Sequence, residues 1–142
     1  MKIEQISVFL ENRPGRLAAV TGVLADANIN IKALTLADTS EYGMLRLITD
    51  NHEKAQEALK ENGFTVGLTT VVAVEVPHKP GGLNSVVNIL SGKGINVEYV
   101  YTFPYQMKNN AILIIRFDRP ELAIEILQQR GVRVCTEEDI CS

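Results

Sequence analysis

The sequence predicts an α+β fold made of two consecutive βαββαβ units, residues 1–70 and 71–142, each an antiparallel sheet with helices on one face. Three observations carry this reading. The chain repeats itself: a shift of 66 residues superposes Pro14 on Pro80, Gly15 on Gly81, Leu17 on Leu83, Leu24 on Leu90, Ile29 on Ile95 and Asn30 on Asn96. After a two-residue insertion the shift becomes 68, and Asp50 falls on Asp118, Glu53 on Glu121, Ala55 on Ala123, Leu59 on Leu127 and Gly63 on Gly131. Within each copy, the spacing of apolar residues alternates between a period of two and a period of 3.6 in one order: strand, helix, strand, strand, helix, strand.

Element by element, Ile6, Val8 and Leu10 of "KIEQISVFL" share one face, as in a strand with one side covered. Pro14 and Gly15 punctuate the chain, and Leu17, Val20, Leu24 and Ala27 then form the inward stripe of a helix in "GRLAAVTGVLADA". "INIKALTLADT" and "YGMLRLIT" read as strands on either side of a polar turn around Ser40 and Glu41. A second helix, "NHEKAQEALKENG", has Asp50 or Asn51 as its N-cap and Gly63 as its C-cap, and the strand "FTVGLTT" closes the unit. The second copy supplies "VVAVEV", "GLNSVVNILSGKG", "INVEYVYTF", "AILIIRF", "PELAIEILQQRG" and "VRVC", with Pro120 in the first turn of its helix, where no N–H is needed. A unit of about 70 residues holds a marginal core, so the two are expected to pack together, with the seam between repeats as a natural place for a ligand.

Bulk properties narrow the function. Hydrophobic residues make up 46% and charged residues 22% of the 142, the balance of a folded globular chain. The net charge is −3, with no Lys/Arg run longer than a pair, so nucleic acid is not an expected partner. No apolar run approaches the roughly 18 residues of a membrane span, and "MKIEQISVFLENRPG" alternates where a signal peptide would be uniformly apolar. A cytoplasmic protein without membrane contact is expected. Cys135 and Cys141 are the only cysteines and lack a CxxC spacing, which argues against a disulfide or metal framework.

The loop "ENRPGRL" is the first candidate site. Pro14 fixes its own φ, Gly15 admits a conformation other residues avoid, and the following helix start exposes unpaired N–H groups with a partial positive charge, suited to a carboxylate. Asn12 and Arg13 add side-chain donors, and at the far end of the same helix Asn28 and Asn30 introduce the next strand. Turn, cap and ligand roles all suit a Pro-Gly and an Asn-x-Asn.

The pattern "ENRPGRLAAVTGVLADANINIKAL" with its ββαβ continuation resembles the ACT domain, a small regulatory module of amino-acid metabolism, and "HKPGGLNSVVNILSGKGINVEYV" resembles a second copy. The resemblance covers nearly the whole chain. It implies ferredoxin-like units that bind amino acids at interfaces between paired ACT units, through the loop after the first strand and the start of the second strand. Here those positions are Asn12, Arg13, Pro14, Gly15, Arg16 and Leu17, with Asn28, Ile29 and Asn30 opposite. Serine-regulated members carry a histidine two residues before the loop asparagine; Leu10 stands there in this chain, which argues against serine. In the second copy His78 replaces Asn12, Lys79 replaces Arg13, Gly82 replaces Arg16 and Gly94 replaces Asn28, while Pro80, Gly81 and Asn96 are kept. The first loop, facing the second strand of a partner unit, is therefore expected to make the better site, with His78, Pro80, Gly81 and Asn96 as the weaker counterpart.

The remaining conspicuous residues are assigned structural roles. His52 opens a helix, Tyr99, Tyr101 and Phe103 line one face of a strand as packing or as a pocket wall, and the tail "CTEEDICS" is a solvated acidic end. No dinucleotide or P-loop glycine motif, metal cluster or nucleophile–base pair is present, so neither an enzyme nor a cofactor or metal is expected. The expected protein is a non-catalytic, amino-acid-binding regulator, a homodimer that signals to an enzyme of amino-acid biosynthesis. The alternative is a regulatory subunit that works by protein contact alone.

Overall fold

The computed structural model describes residues 1–38 and 41–141. Its elements are β1 (Ile3–Glu11), α1 (Arg16–Asp26), β2 (Ile31–Asp38), β3 (Tyr42–Thr49), α2 (His52–Glu61), β4 (Thr65–Pro77), α3 (Gly82–Ser91), β5 (Val97–Met107), β6 (Asn110–Phe117), α4 (Pro120–Gln129), β7 (Val134–Cys135) and α5 (Glu137–Cys141). They divide into two compact units: Glu4–Thr69 with Cys141 is here termed the N-terminal unit, and Thr70–Ile140 with Met1–Ile3 the C-terminal unit.

In the N-terminal unit β3 lies between β1 and β2, antiparallel to both, with Val8 opposite Leu45 and Leu36 also opposite Leu45. Because directly opposed residues share a face, Ile6, Val8, Leu10, Leu45 and Leu47 point to one side. There Val20 and Leu24 of α1 and Ala55 and Leu59 of α2 close over them as one core. Both helices thus cover a single face, the arrangement expected from the period-two and period-3.6 stripes. Leu24 is fully buried within this cluster, a position where truncation to alanine costs about 2–5 kcal/mol.

The C-terminal unit repeats the plan with strand order β7-β4-β6-β5, all antiparallel. Val86 and Leu90 of α3, and Ala123, Ile126 and Leu127 of α4, cover Val72, Val74, Leu113 and Ile115. The units are mixed α/β with antiparallel sheets, as the sequence predicts.

Helix ends follow their local chemistry. Asn51, rather than Asp50, caps α2, its side chain accepting from the N–H of Lys54 at 3.1 Å. Asp50 instead secures the start of β2. Its carboxylate accepts the N–H of Asn30 at 3.1 Å, and its own N–H donates to the Asn30 carbonyl at 3.2 Å. Asp118 and Asn96 repeat this reciprocal pair at 2.9 and 3.2 Å. Asn62 is the C-cap of α2, and Gly63 follows it with φ 85°.

Three expectations change. "FTVGLTT" and "VVAVEV" are one continuous strand, β4, because the β-branched run Thr69–Val72 offers no turn residue at the boundary. "VRVC" contributes only two residues of strand. The acidic tail is a short helix with Ile140 buried: Thr136 and Asp139 form a reciprocal cap, the Thr136 N–H donating to Asp139 Oδ2 at 2.8 Å and the Asp139 N–H donating to Thr136 Oγ1 at 3.2 Å. Of the polar turn between β2 and β3, Ser40 lies outside the described residues and Glu41 within them. No described helix is long and apolar enough to cross a membrane.

Candidate functional site

The β1–α1 loop is held by backbone bonds. The Asn12 N–H donates to the Glu41 carbonyl at 2.8 Å, the Arg13 N–H to the Glu11 carbonyl at 2.9 Å, and the Arg16 N–H to the Arg13 carbonyl at 3.4 Å. Gly15 has φ 89°, a left-handed conformation that supplies the N-cap of α1 without a side-chain hydrogen bond, so the sequence places glycine there for its backbone. The first N–H groups of α1 accordingly keep their partial positive charge.

Around this loop lies an open cavity of about 560 Å³, lined by Phe9, Glu11, Asn12, Arg13, Arg16, Glu41, Tyr42, Gly63, Phe64 and Thr65. Its size falls within the roughly 300–1,000 Å³ of small-molecule sites. A smaller recess of about 70 Å³ adjoins it on the helix side, where Leu10, Leu17, Leu36 and Gly43 join Asn12, Arg13 and Arg16. All of these residues belong to the N-terminal unit.

The cavity carries both signs of charge. Arg13 pairs with Glu11 at 3.4 Å, both well exposed. Arg16 lies over the Phe64 ring, 5.0 Å from its centroid, and its Nε is buried with no hydrogen-bond partner among the described residues. A buried N–H without an acceptor is costly, and Arg16 is also one of the residues that line the cavity. Phe9 and Tyr42 stack at 4.8 Å between centroids, 30° from parallel.

Of the loop residues, Asn12, Arg13 and Arg16 line both the cavity and the recess and Leu17 the recess, while Pro14 and Gly15 shape the turn between them without lining either. Asn28, Ile29 and Asn30 are not part of that group within the unit, because α1, 11 residues or about 16 Å long, separates the two ends. There Asn28 takes φ 59° just beyond the helix, Ile29 is buried in the core with its N–H donating to the Leu24 carbonyl at 2.9 Å, and the Asn30 backbone pairs with Asp50.

In the C-terminal unit the same backbone recurs with different chemistry. The His78 N–H donates to the Asn109 carbonyl at 3.1 Å, the Lys79 N–H to the Pro77 carbonyl at 2.9 Å, and Gly81 caps α3 with φ 86°. Pro80 is exposed between them, and the Asn96 backbone pairs with Asp118 at the far end of α3. Gly82 stands in place of Arg16, and a Cβ there would lie 2.1 Å from the Pro77 carbonyl oxygen, so no side chain fits. Where the N-terminal unit stacks Phe9 on Tyr42, this unit has Glu75 accepting from Asn110 Nδ2 at 3.3 Å and pairing with Arg133 at 3.7 Å.

Sequence reasoning missed Phe9, Glu11, Glu41, Tyr42 and Phe64, which reach the loop through sheet register and the α2–β4 turn. One signal was present: Phe9 sits between Val8 and Leu10, on the face opposite the core stripe, where a large apolar residue is not expected. Among the described residues no group of three or more His, Cys, Asp or Glu side chains could hold a metal.

The ACT domain pair family matches residues 1–142. Among solved structures, protein BT0572 from Bacteroides thetaiotaomicron is 39% identical, with a TM-score of 0.94 over 100% of this chain and 97% of that one. The ligand-free regulatory subunit of aspartate kinase from Thermus thermophilus is 21% identical, with a TM-score of 0.63 over 89% of this chain and 91% of that one. That of Thermus flavus is 20% identical, with a TM-score of 0.62 over 90% and 92%; at such identities the likeness is one of fold. No curated protein matches the chain. A whole-length family match, on a duplicated βαββαβ plan with a Pro-Gly loop at each first helix, shows that the chain belongs to the ACT domain pair family.

Proposed function

We propose that this chain is a non-catalytic regulatory protein of amino-acid metabolism, its modules 1–70 and 71–142, which binds an amino acid at the β1–α1 loop of the N-terminal unit. The observation that carries this reading is the cavity lined by Arg13 and Arg16 beside the uncapped start of α1, with Glu11 and Glu41 in the same lining. The cationic group suits a carboxylate and the two glutamates suit an ammonium, which together describe a zwitterion. Membership in the ACT domain pair family supports the assignment.

The working form is a cytoplasmic homodimer, in which the start of β2 in a paired ACT unit, with Asn28, Ile29 and Asn30, completes the site at the interface. Regulation is then linkage: an amino acid held across the interface stabilises one arrangement of units, and a separate biosynthetic enzyme responds to that arrangement. The fold shared with regulatory subunits of aspartate kinase supports a partner of that kind.

A thermal-shift screen of the purified chain against the twenty amino acids tests this function. A ligand at about 100 times its dissociation constant adds roughly 2.7 kcal/mol of stability, a shift of several degrees; no shift with any amino acid would refute the reading. One observation favours regulation by protein contact alone: Leu17, Leu34 and Leu36 of the N-terminal unit, and Leu83, Val87 and Val100 of the C-terminal unit, are exposed apolar side chains. Under that reading the screen stays flat while a partner enzyme co-purifies.

A further inference from the structure

Two aromatic rings of the N-terminal cavity, Phe9 and Tyr42, are not needed by the fold. Phe9 and Tyr42 are 47% and 44% exposed yet stacked on each other, and Phe64 carries Arg16 over its face. The duplicated unit provides an internal control, because it repeats the backbone hydrogen bonds of this region. The Asn12–Glu41 bond corresponds to His78–Asn109, and the Phe64–Leu59 bond at 3.0 Å corresponds to Val132–Leu127 at 2.9 Å. With those bonds kept, Glu75 replaces Phe9, Asn110 replaces Tyr42, Val132 replaces Phe64 and Gly82 replaces Arg16. A ββα framework that tolerates a polar pair at the first two positions has no structural need of two half-exposed rings there.

Resting on the amino-acid reading above, we propose that the ligand of the N-terminal cavity carries an aromatic side chain. The cavity presents three kinds of group in one place: Arg13 and Arg16 for a carboxylate, Glu11 and Glu41 for an ammonium, and the Phe9–Tyr42 stack for a planar ring. A third ring laid against Tyr42 continues a stack that already exists and removes exposed aromatic area from water. Arg16, already lying over Phe64, lines the cavity, so that the carboxylate meets a guanidinium fixed by its own ring contact. An aliphatic amino acid meets the same two charged ends but only the edge of the stack, and a small polar one leaves the rings exposed.

The test is isothermal titration of the full chain with L-phenylalanine, L-tyrosine and L-tryptophan, against L-leucine, L-methionine, L-aspartate and L-serine. It is repeated on F9E/Y42N, which installs the C-terminal unit's own pair, and on Tyr42→Leu, which keeps apolar cover without a ring. The expected result is that at least one aromatic amino acid binds tenfold or more tightly than every non-aromatic one. Both variants lose that preference, yet retain the far-ultraviolet circular dichroism of the parent. A non-aromatic amino acid that binds as well or better, unaffected by either variant, overturns the aromatic assignment and leaves the amino-acid reading standing. Aromatic binding that survives both variants also overturns it, since the ring must then lie elsewhere. No heat with any amino acid overturns both.

Discussion

Arg16 holds its guanidinium 5.0 Å from the centroid of Phe64, and in the duplicated unit neither partner survives: Gly82 and Val132 occupy the two places. The pair is therefore a feature of one module only, set on the wall of that module's cavity. Arg16→Gln removes the charge and the ring contact together. A cation over a buried ring contributes up to about 2 kcal/mol, so thermal unfolding is expected to fall by a few degrees. Amino-acid binding is expected to weaken at least tenfold, because a guanidinium that pairs with a carboxylate contributes more than its packing. A variant that unfolds a few degrees earlier and binds normally would remove Arg16 from the site.

Gly82 and Gly22 make a matched pair. A Cβ at Gly82 would lie 2.1 Å from the Pro77 carbonyl oxygen, and the obstacle is backbone; at Gly22, inside α1, nothing lies within 4 Å. Gly82→Ala is expected to destabilise by about 2 kcal/mol or more, and Gly22→Ala to stabilise by about 0.5–1 kcal/mol through helix propensity. Chemical denaturation of both variants checks the two signs at once.

Asp50 and Asp118 each close the start of a second strand by accepting the N–H of Asn30 and Asn96. Replacing either by alanine strands an N–H and is expected to cost about 1 kcal/mol. Asn30→Ala leaves those backbone bonds in place, so its effect on stability is expected to be small. If Asn30 faces the ligand across a paired unit, the substitution shows itself in binding, and more strongly than Asn96→Ala. Equal binding losses at the two positions would contradict the inequality of the two sites.

The cysteines differ in access. Burial pushes the Cys135 thiol up to about 11 from an ordinary value near 9.0, whereas Cys141 is half-exposed. Thiol labelling at about pH 8 is expected to modify Cys141 first and Cys135 only on unfolding. The raised value also fixes a sign. Above about pH 9 the unfolded chain releases a proton that the folded one keeps, so this thiol's contribution to stability is complete below that pH and declines as pH rises towards 11. Cys135→Ala should flatten that part of the stability profile; an unchanged slope would show that other groups set it.

The duplication, the helix stripes and the loop were legible because each is a local pattern: a Pro-Gly, a 3.6-residue period, a two-residue alternation. The junction at β4 was not, since a β-branched run looks the same whether it ends one strand and begins another or continues through. The tail helix carries its signal in Thr136 and Asp139, three residues apart as in a capping box, but its acidic composition hides it. The cavity was least legible. Phe9, Tyr42 and Phe64 come from three separate parts of the chain and meet only after β1 and β3 pair and α2 turns into β4. The separation of Asn30 from the loop follows from the length of α1, which places the two at opposite ends of the helix.

In the proposed function one module, at one loop, holds an amino acid. Amide chemical-shift mapping of the labelled full chain, during titration with the amino acid that gives the largest thermal shift, tests it most directly. The largest saturable shifts are expected on the amides of Asn12, Arg13, Gly15, Arg16 and Leu17 and of Tyr42 and Phe64, with those of His78, Lys79 and Gly81 to Leu83 nearly still. Shifts that centre on the C-terminal loop, or that fail to saturate anywhere, would contradict it.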